Sequence, residues 1–218
     1  MKTLKPKRVT LFAGHYGSGK TNIAVNYALH LAKSGCPVTI ADLDIVNPYF
    51  RTKDSAEALD QAGIRLISSA YANSNVDVPA LPAELYALTQ DRSRYAILDV
   101  GGDDRGALAL GRYAADIMEE NDYEMIFVAN FYRPLTTTAE EAFEVMKEIE
   151  TAGKIPFTAI VHNSNLGRET TPAHVTDKEK EALRLSELSG LPLLFTAAEA
   201  SVAEGLDAFS LDLQKKIF

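Results

Sequence analysis

The stretch Gly14-His15-Tyr16-Gly17-Ser18-Gly19-Lys20-Thr21 follows the apolar run Val9-Thr10-Leu11-Phe12-Ala13 and leads straight into Asn22-Ile23-Ala24-Val25-Asn26-Tyr27-Ala28-Leu29. A bare turn needs one or two glycines at most, because glycine loses more backbone freedom on ordering than any other residue. Three glycines, then lysine and threonine at the offsets G-x-x-x-x-G-K-[ST] between a strand-like and a helix-like segment, read as a phosphate-binding loop. In such a loop successive backbone N–H groups turn toward phosphate oxygens, aided by the positive end of the following helix dipole. Lys20 supplies a point charge to the β- and γ-phosphates, and Thr21 a hydroxyl ligand for Mg²⁺. The expected nucleotide-binding set is therefore Gly14, His15, Tyr16, Gly17, Ser18, Gly19, Lys20, Thr21 and Asn22.

Outward from this loop the chain alternates strand-like and helix-like periods. Strands are expected at 8–13, 37–43, 64–68, 94–100, 124–130, 156–162 and 192–196, and helices at 20–34, 55–62, 80–90, 106–121, 137–152, 177–189 and about 203–215. The alternation predicts an α/β fold, a doubly wound and mostly parallel sheet of about seven strands flanked by helices, with 1–218 forming a single nucleotide-binding domain. Several strands are nearly continuous apolar runs, as burial on both faces requires. In doubly wound sheets ligands bind at the carboxyl ends of the strands. The loops 42–54, 101–105, 130–138 and 163–172 should therefore converge on the phosphate loop.

Two of those loops carry acids. Asp42 and Asp44 stand two residues apart in "ADLDIVNPYFR", so if the strand persists they share a face toward the nucleotide. Phosphoryl transfer divides its work in this way, one carboxylate holding Mg²⁺ through water while another orients the attacking water. Asp99 closes the apolar run Ala96-Ile97-Leu98, where a buried carboxylate needs a partner, and magnesium provides one. Gly101-Gly102 follows and would let the backbone approach the γ-phosphate and move when it leaves.

"GHYGSGKTN", "ADLDIVNPYFR" and "AILDVGG", in that order and spacing, resemble the MinD/ParA-type ATPases of the CobQ/CobB/MinD/ParA nucleotide-binding domain group. The resemblance spans nearly the whole chain and implies ATP and Mg²⁺ as ligands. It implies that Asp44 orients water, that Asp42 and Asp99 lie near the metal with Thr21 as its direct ligand, and that Asn163 in "IVHNSNLG" contacts adenine. Catalysis is expected from Asp44 and Lys20. Many members carry a signature lysine after the first loop glycine, which reaches a dimer partner's nucleotide. Here that residue is His15, and a neutral imidazole offers no permanent charge. Either His15 donates a weaker bond, or another cation such as Arg51 or Arg133 substitutes, or the dimeric arrangement does not apply.

Composition sets limits on the function. A formal charge of −8 argues against nonspecific duplex DNA binding, which needs a basic face. No apolar run approaches the roughly 20 residues that cross a bilayer, and the basic start Met1 to Arg8 has no apolar h-region and reads as a solvated tail. A cytoplasmic location is expected. Cys36 is the only cysteine, which excludes an internal disulfide or a thiolate metal cage, and His15, His30, His162 and His174 show no ligand spacing. At the C-terminal end Leu206, Phe209, Leu213 and Ile217 fall on one face of an expected helix that lacks a basic polar side, favouring docking on the protein's own core over a membrane.

The leading expectation is an ATP-driven switch acting on an unidentified client protein, as in metal-centre or enzyme maturation, with a nucleotide-dependent homodimer as an option. A GTPase metallochaperone is the nearest alternative, although Asn163-Ser164-Asn165-Leu166 lacks the aspartate that matches guanine's donors. A small-molecule phosphotransferase or ATP-dependent ligase would need an arginine-bearing lid. A nucleotide-binding interaction module without turnover would not need the acids.

Overall fold

The computed structural model describes residues 5–43, 55–68, 88, 90–102 and 104–213. Among the described residues eight strands, β1 (Val9–Ala13), β2 (Val38–Leu43), β3 (Arg65–Ser68), β4 (Tyr95–Val100), β5 (Tyr123–Ala129), β6 (Ala159–His162), β7 (Leu193–Glu199) and β8 (Ala208–Leu211), form one sheet in the order β3-β2-β4-β1-β5-β6-β7-β8. Every neighbouring pair is parallel. The order reverses at β1, which enters the phosphate loop, so the crevice expected of a doubly wound sheet opens there. The helices are α1 (Lys20–Lys33), α2 (Ala56–Gln61), α3 (Asp104–Leu110), α4 (Ala114–Glu120), α5 (Ala139–Gly153), α6 (Pro172–Asp177), α7 (Glu179–Ser189) and α8 (Ala200–Ala203).

Alternate strand residues serve two cores, one on each face of the sheet. Leu11, Leu98 and Phe127 pack with Leu110 of α3, Ile117 of α4, Met146 of α5 and Leu185 of α7. Phe12, Ile40 and Ile97 pack on the opposite face with Ile23, Tyr27 and Leu31 of α1. Cys36 is half-buried against this second core, where it acts as a small apolar residue.

The structure departs from the sequence expectations in four places. The helix expected near 203–215 is replaced by β8, in which Phe209 and Leu211 are buried while Ser210 is exposed. A period of two pairs this segment with the open edge of β7, so the apolar residues reach the core as a strand rather than as a helix. Asn26 of α1 fixes its end, donating from Nδ2 to the Asp212 carbonyl at 3.0 Å and accepting from the Asp212 N–H at 2.9 Å. The helix expected over 106–121 is broken at Gly111 to Tyr113, where Tyr113 turns into the first core. A further helix, α6, begins at Pro172 behind the Thr171 cap, a start that suits proline's missing N–H. Lastly, Arg8 belongs to no solvated tail: it is 7% exposed and forms a buried two-pronged ion pair with Glu120. The expected helix at 80–90 falls almost wholly outside the described residues, as do Asp44 and Arg51.

Candidate phosphate and nucleotide site

The apolar residues of β1 carry the chain to the carboxyl edge of the sheet, and six residues separate the end of β1 from the start of α1. Gly19 caps α1 with φ +88°, a left-handed conformation that an L side chain adopts only with strain. A Cβ there would also collide with the Asn163 Nδ2. Within the loop the Ser18 N–H donates to the His15 carbonyl at 3.1 Å, closing a tight turn, and the Ser18 side chain is buried. Lys20 is 3% exposed and Thr21 is buried beside it, in the first turn of α1. Asn22 is half-buried, and its carbonyl accepts from Asn26 Nδ2 at 2.8 Å. Tyr16 is 54% exposed, and His15 is half-exposed with its Nδ1 3.2 Å from the Tyr16 carbonyl, a contact that an Nδ1–H donor satisfies.

The acids arrive from the β2 and β4 side. Asp42 and Asp99 are register partners on these neighbouring strands, and both are buried. Ile40 and Ile97, two residues earlier, pack in the core that α1 covers, so Asp42 and Asp99 lie on the α1 face of the sheet. They stand at the end from which Lys20 and Thr21 rise. Two buried carboxylates side by side repel unless cations stand between them. With the Thr21 hydroxyl this oxygen donor set suits a hard divalent cation such as Mg²⁺. Gly102, after β4, approaches more closely still: a Cβ there would lie 2.9 Å from the Tyr16 nitrogen, 3.0 Å from the Gly14 carbonyl oxygen and 3.0 Å from Lys20 Nζ. The backbone at Gly102 is therefore in close contact with the loop and with Lys20.

The β5 and β6 side contributes side chains that hold the loop from outside. Asn163, 3% exposed, donates from Nδ2 to the Ser18 carbonyl at 2.8 Å. Arg133 donates from Nε to the adjacent Gly17 carbonyl at 3.0 Å. Two consecutive carbonyls of the loop are thus tied to side chains from the β5 and β6 loops, which fixes the backbone between Gly17 and Gly19. Sequence reasoning named both residues but missed their shared role, and it assigned no role of their own to Asn130 and Ser164. Asn130 Oδ1 accepts from the Tyr132 N–H at 3.1 Å and from the Asn165 N–H at 3.3 Å, and Ser164 Oγ accepts from the Phe131 N–H at 3.0 Å. The available signal was an asparagine directly after each of two strands, a residue type that bonds to its own loop backbone.

Among the described residues no helix is long and apolar enough to cross a membrane, and no cluster of three or more His, Cys, Asp or Glu residues could hold a metal by themselves.

Solved structures share this fold. The cell division protein FtsY of Thermotoga maritima superimposes with a TM-score of 0.65 at 17% identity, over 95% of this chain and 66% of that one. The signal recognition particle receptor FtsY of Elizabethkingia anophelis, in a complex with GDP, gives 0.55 at 16% identity over 98% and 63% of the two chains. FtsY of Mycoplasma mycoides gives 0.59 at 16% identity, over 96% and 65%. The chain thus spans less than two thirds to about two thirds of these proteins' length. No curated protein matches it in sequence. Residues 9–170 match the family model of the CobQ/CobB/MinD/ParA nucleotide-binding domain. With the phosphate loop, the paired acids and the parallel sheet on which both stand, that match over most of the chain makes this protein a member of the CobQ/CobB/MinD/ParA nucleotide-binding family.

Proposed function

We propose that this protein binds ATP with Mg²⁺ and hydrolyses it as a conformational switch acting on a partner protein. The observation that carries the reading is the placement of Lys20, Thr21, Asp42 and Asp99 on one face at the carboxyl edge of the sheet. Lys20 binds the β- and γ-phosphates. Thr21, Asp42 and Asp99 hold Mg²⁺, which when bound neutralises charge on the phosphate oxygens. Asp44 orients the attacking water and accepts its hydrogen bond. Gly102, in contact with the loop, transmits loss of the γ-phosphate to the segment after β4.

Adenine is favoured by the hydrogen bonding of Asn163. With one Nδ2 N–H engaged by the Ser18 carbonyl, the amide is oriented so that in this reading its Oδ1 accepts from the exocyclic amine of adenine. Asn165 turns its amide to its own loop, Nδ2 to the Asn163 carbonyl and Oδ1 to the Gly167 N–H. GTP remains the second reading because a structural neighbour holds GDP. The client approaches the loop mouth, where Tyr16 and Leu135 are exposed, and a nucleotide-dependent homodimer would place His15 at the partner's phosphates. Titration calorimetry with ATP and GTP, with and without Mg²⁺, followed by a single-turnover assay, tests the proposal. Preference for GTP moves the protein to the second reading, and tight Mg²⁺-dependent binding without turnover makes it a binding module.

A further inference from the structure

The loops after β5 and β6 are bonded into one platform. Asn130 accepts from the Asn165 N–H and donates from Nδ2 to the Asn165 carbonyl at 3.4 Å, while the Phe131 N–H donates to Ser164 and the Tyr132 hydroxyl donates to the His174 carbonyl at 3.0 Å. Arg133 stands on this platform in a closed turn, its N–H donating to the Asn130 carbonyl at 3.2 Å and its own carbonyl accepting from the Thr136 N–H at 3.2 Å. Leu135 in the same turn has φ +65°, strained for a branched residue and typical of a backbone held in place by its surroundings. The presentation of Arg133 is therefore fixed by the fold.

Among the described residues the Arg133 guanidinium is engaged through Nε alone. Its Nε and Cδ lie 3.4 and 3.5 Å from the position a Cβ would take on Gly17, and it forms no ion pair among the described residues. Along the sheet, Lys20, Gly102 and the acids of β2 and β4 mark one side of β1, and Arg133 and Asn163 come from the strands on the other side. A nucleotide whose terminal phosphates sit with Lys20 and the acids must run its nucleoside across the β5 and β6 loops. The planar, weakly hydrated guanidinium would meet it there, and such a plane stacks on aromatic faces.

We infer that Arg133 is a nucleoside-binding residue, whose Nε holds the phosphate loop through the Gly17 carbonyl while its guanidinium plane stacks on the base of the bound nucleotide. The inference rests on the phosphate-loop reading above and adds to it the element that recognises the half of the ligand beyond the phosphates. Stacking of this kind is blind to base identity, so Arg133 raises affinity for any purine nucleotide and leaves selection to Asn163.

The test compares Arg133→Lys and Arg133→Tyr in the full chain. Lysine keeps the charge and a donor but loses the plane; tyrosine keeps a plane and loses the charge. Calorimetry with ATP and with inorganic tripolyphosphate, both with Mg²⁺, reads the two halves of the ligand, and thermal unfolding checks each variant's fold. Arg133→Lys is expected to weaken ATP binding about five- to twentyfold, the lower part of the range for a lost base-stacking contact, and to weaken tripolyphosphate binding far less. Arg133→Tyr is expected to bind ATP better than Arg133→Lys. Equal losses for ATP and tripolyphosphate, an ATP affinity order of lysine above tyrosine, or no change in either variant overturns the inference. Lys20→Ala separates its failure from that of the underlying reading: a folded Lys20→Ala variant that binds tripolyphosphate as the wild type does would remove the phosphate loop itself.

Discussion

His162 makes the stability of this protein depend on pH, and substituting it should remove that dependence. The residue ends β6 one position before Asn163 and is fully buried, with Nδ1 3.4 Å from Thr196 Oγ1 and its ring 6.0 Å from that of Phe131. Nε2 has no hydrogen-bond partner among the described residues. Burial penalises the imidazolium and pushes the pKa from 6.5 down to about 4. The unfolded chain therefore binds a proton between these two values that the folded chain refuses. Stability contributed by neutral His162 is complete above pH 6.5 and is lost as pH falls toward 4, reaching about 3 kcal/mol from the 2.5-unit difference at about 1.4 kcal/mol per unit. Between pH 7.5 and 5 the loss is about 2 kcal/mol, or about 1 M in urea midpoint at a slope of about 2 kcal/mol per M. Glu124, whose carboxyl is pushed upward by burial, acts in the opposite sense, so the difference between proteins is the diagnostic quantity. Urea unfolding of the wild type and His162→Gln at both pH values should show the wild type losing about 2 kcal/mol more than the variant on acidification. Parallel losses in the two proteins would refute a buried neutral His162.

Three further outcomes follow from the site. Lys20→Ala should weaken ATP binding by at least about tenfold in calorimetry, since a charge-assisted contact to phosphate is worth about 1.5–3 kcal/mol, and undiminished binding by a folded variant would refute the phosphate-loop assignment. Asp44→Asn should retain ATP and Mg²⁺ and slow single-turnover hydrolysis by about a hundredfold or more, the usual contribution of a positioned base; hydrolysis at the wild-type rate would assign the water to another residue. Gly102→Ala places a methyl 2.9 Å from the Tyr16 nitrogen and 3.0 Å from the Gly14 carbonyl oxygen, backbone atoms that cannot step aside as Lys20 Nζ can. It should lower ATP affinity and also lower the urea midpoint, because the loop backbone must shift to admit the methyl, and a variant with wild-type affinity would show that the close approach of Gly102 does not matter to binding.

The parts of this fold that could be read from sequence are those written in local periodicity. Val9 to Ala13, Tyr95 to Val100 and Tyr123 to Ala129 are nearly unbroken apolar runs because both faces of each strand are covered, and they lie within one or two residues of the expected bounds. The C-terminal segment failed because Leu206, Phe209 and Leu213 fit a helical stripe as well as Phe209 and Leu211 fit a strand. Only the open edge of β7, a nonlocal fact, decides between them. Arg8 was misread for the same reason, since nothing near it in sequence announces Glu120, 112 residues away.

The same division runs through the site. Phosphate is recognised chiefly by backbone N–H groups, so its recognition leaves a local signature: glycines at Gly14, Gly17 and Gly19 and the lysine that follows. The acids are legible one strand at a time, but the register of Asp42 against Asp99 exists only once β2 lies beside β4. The side chains that hold the loop from the β5 and β6 side leave a much weaker local trace, an asparagine directly after each strand. Arg133 and Asn163 are separated from Gly17 and Ser18 by more than a hundred residues, and each reaches its carbonyl only because β5 and β6 are laid beside β1 in the sheet. Side-chain recognition assembled across strands in this way can vary in residue type while the loop motif stays fixed. The asparagine beside the Ser18 carbonyl is therefore where this chain's own base preference is to be sought, rather than in the glycines.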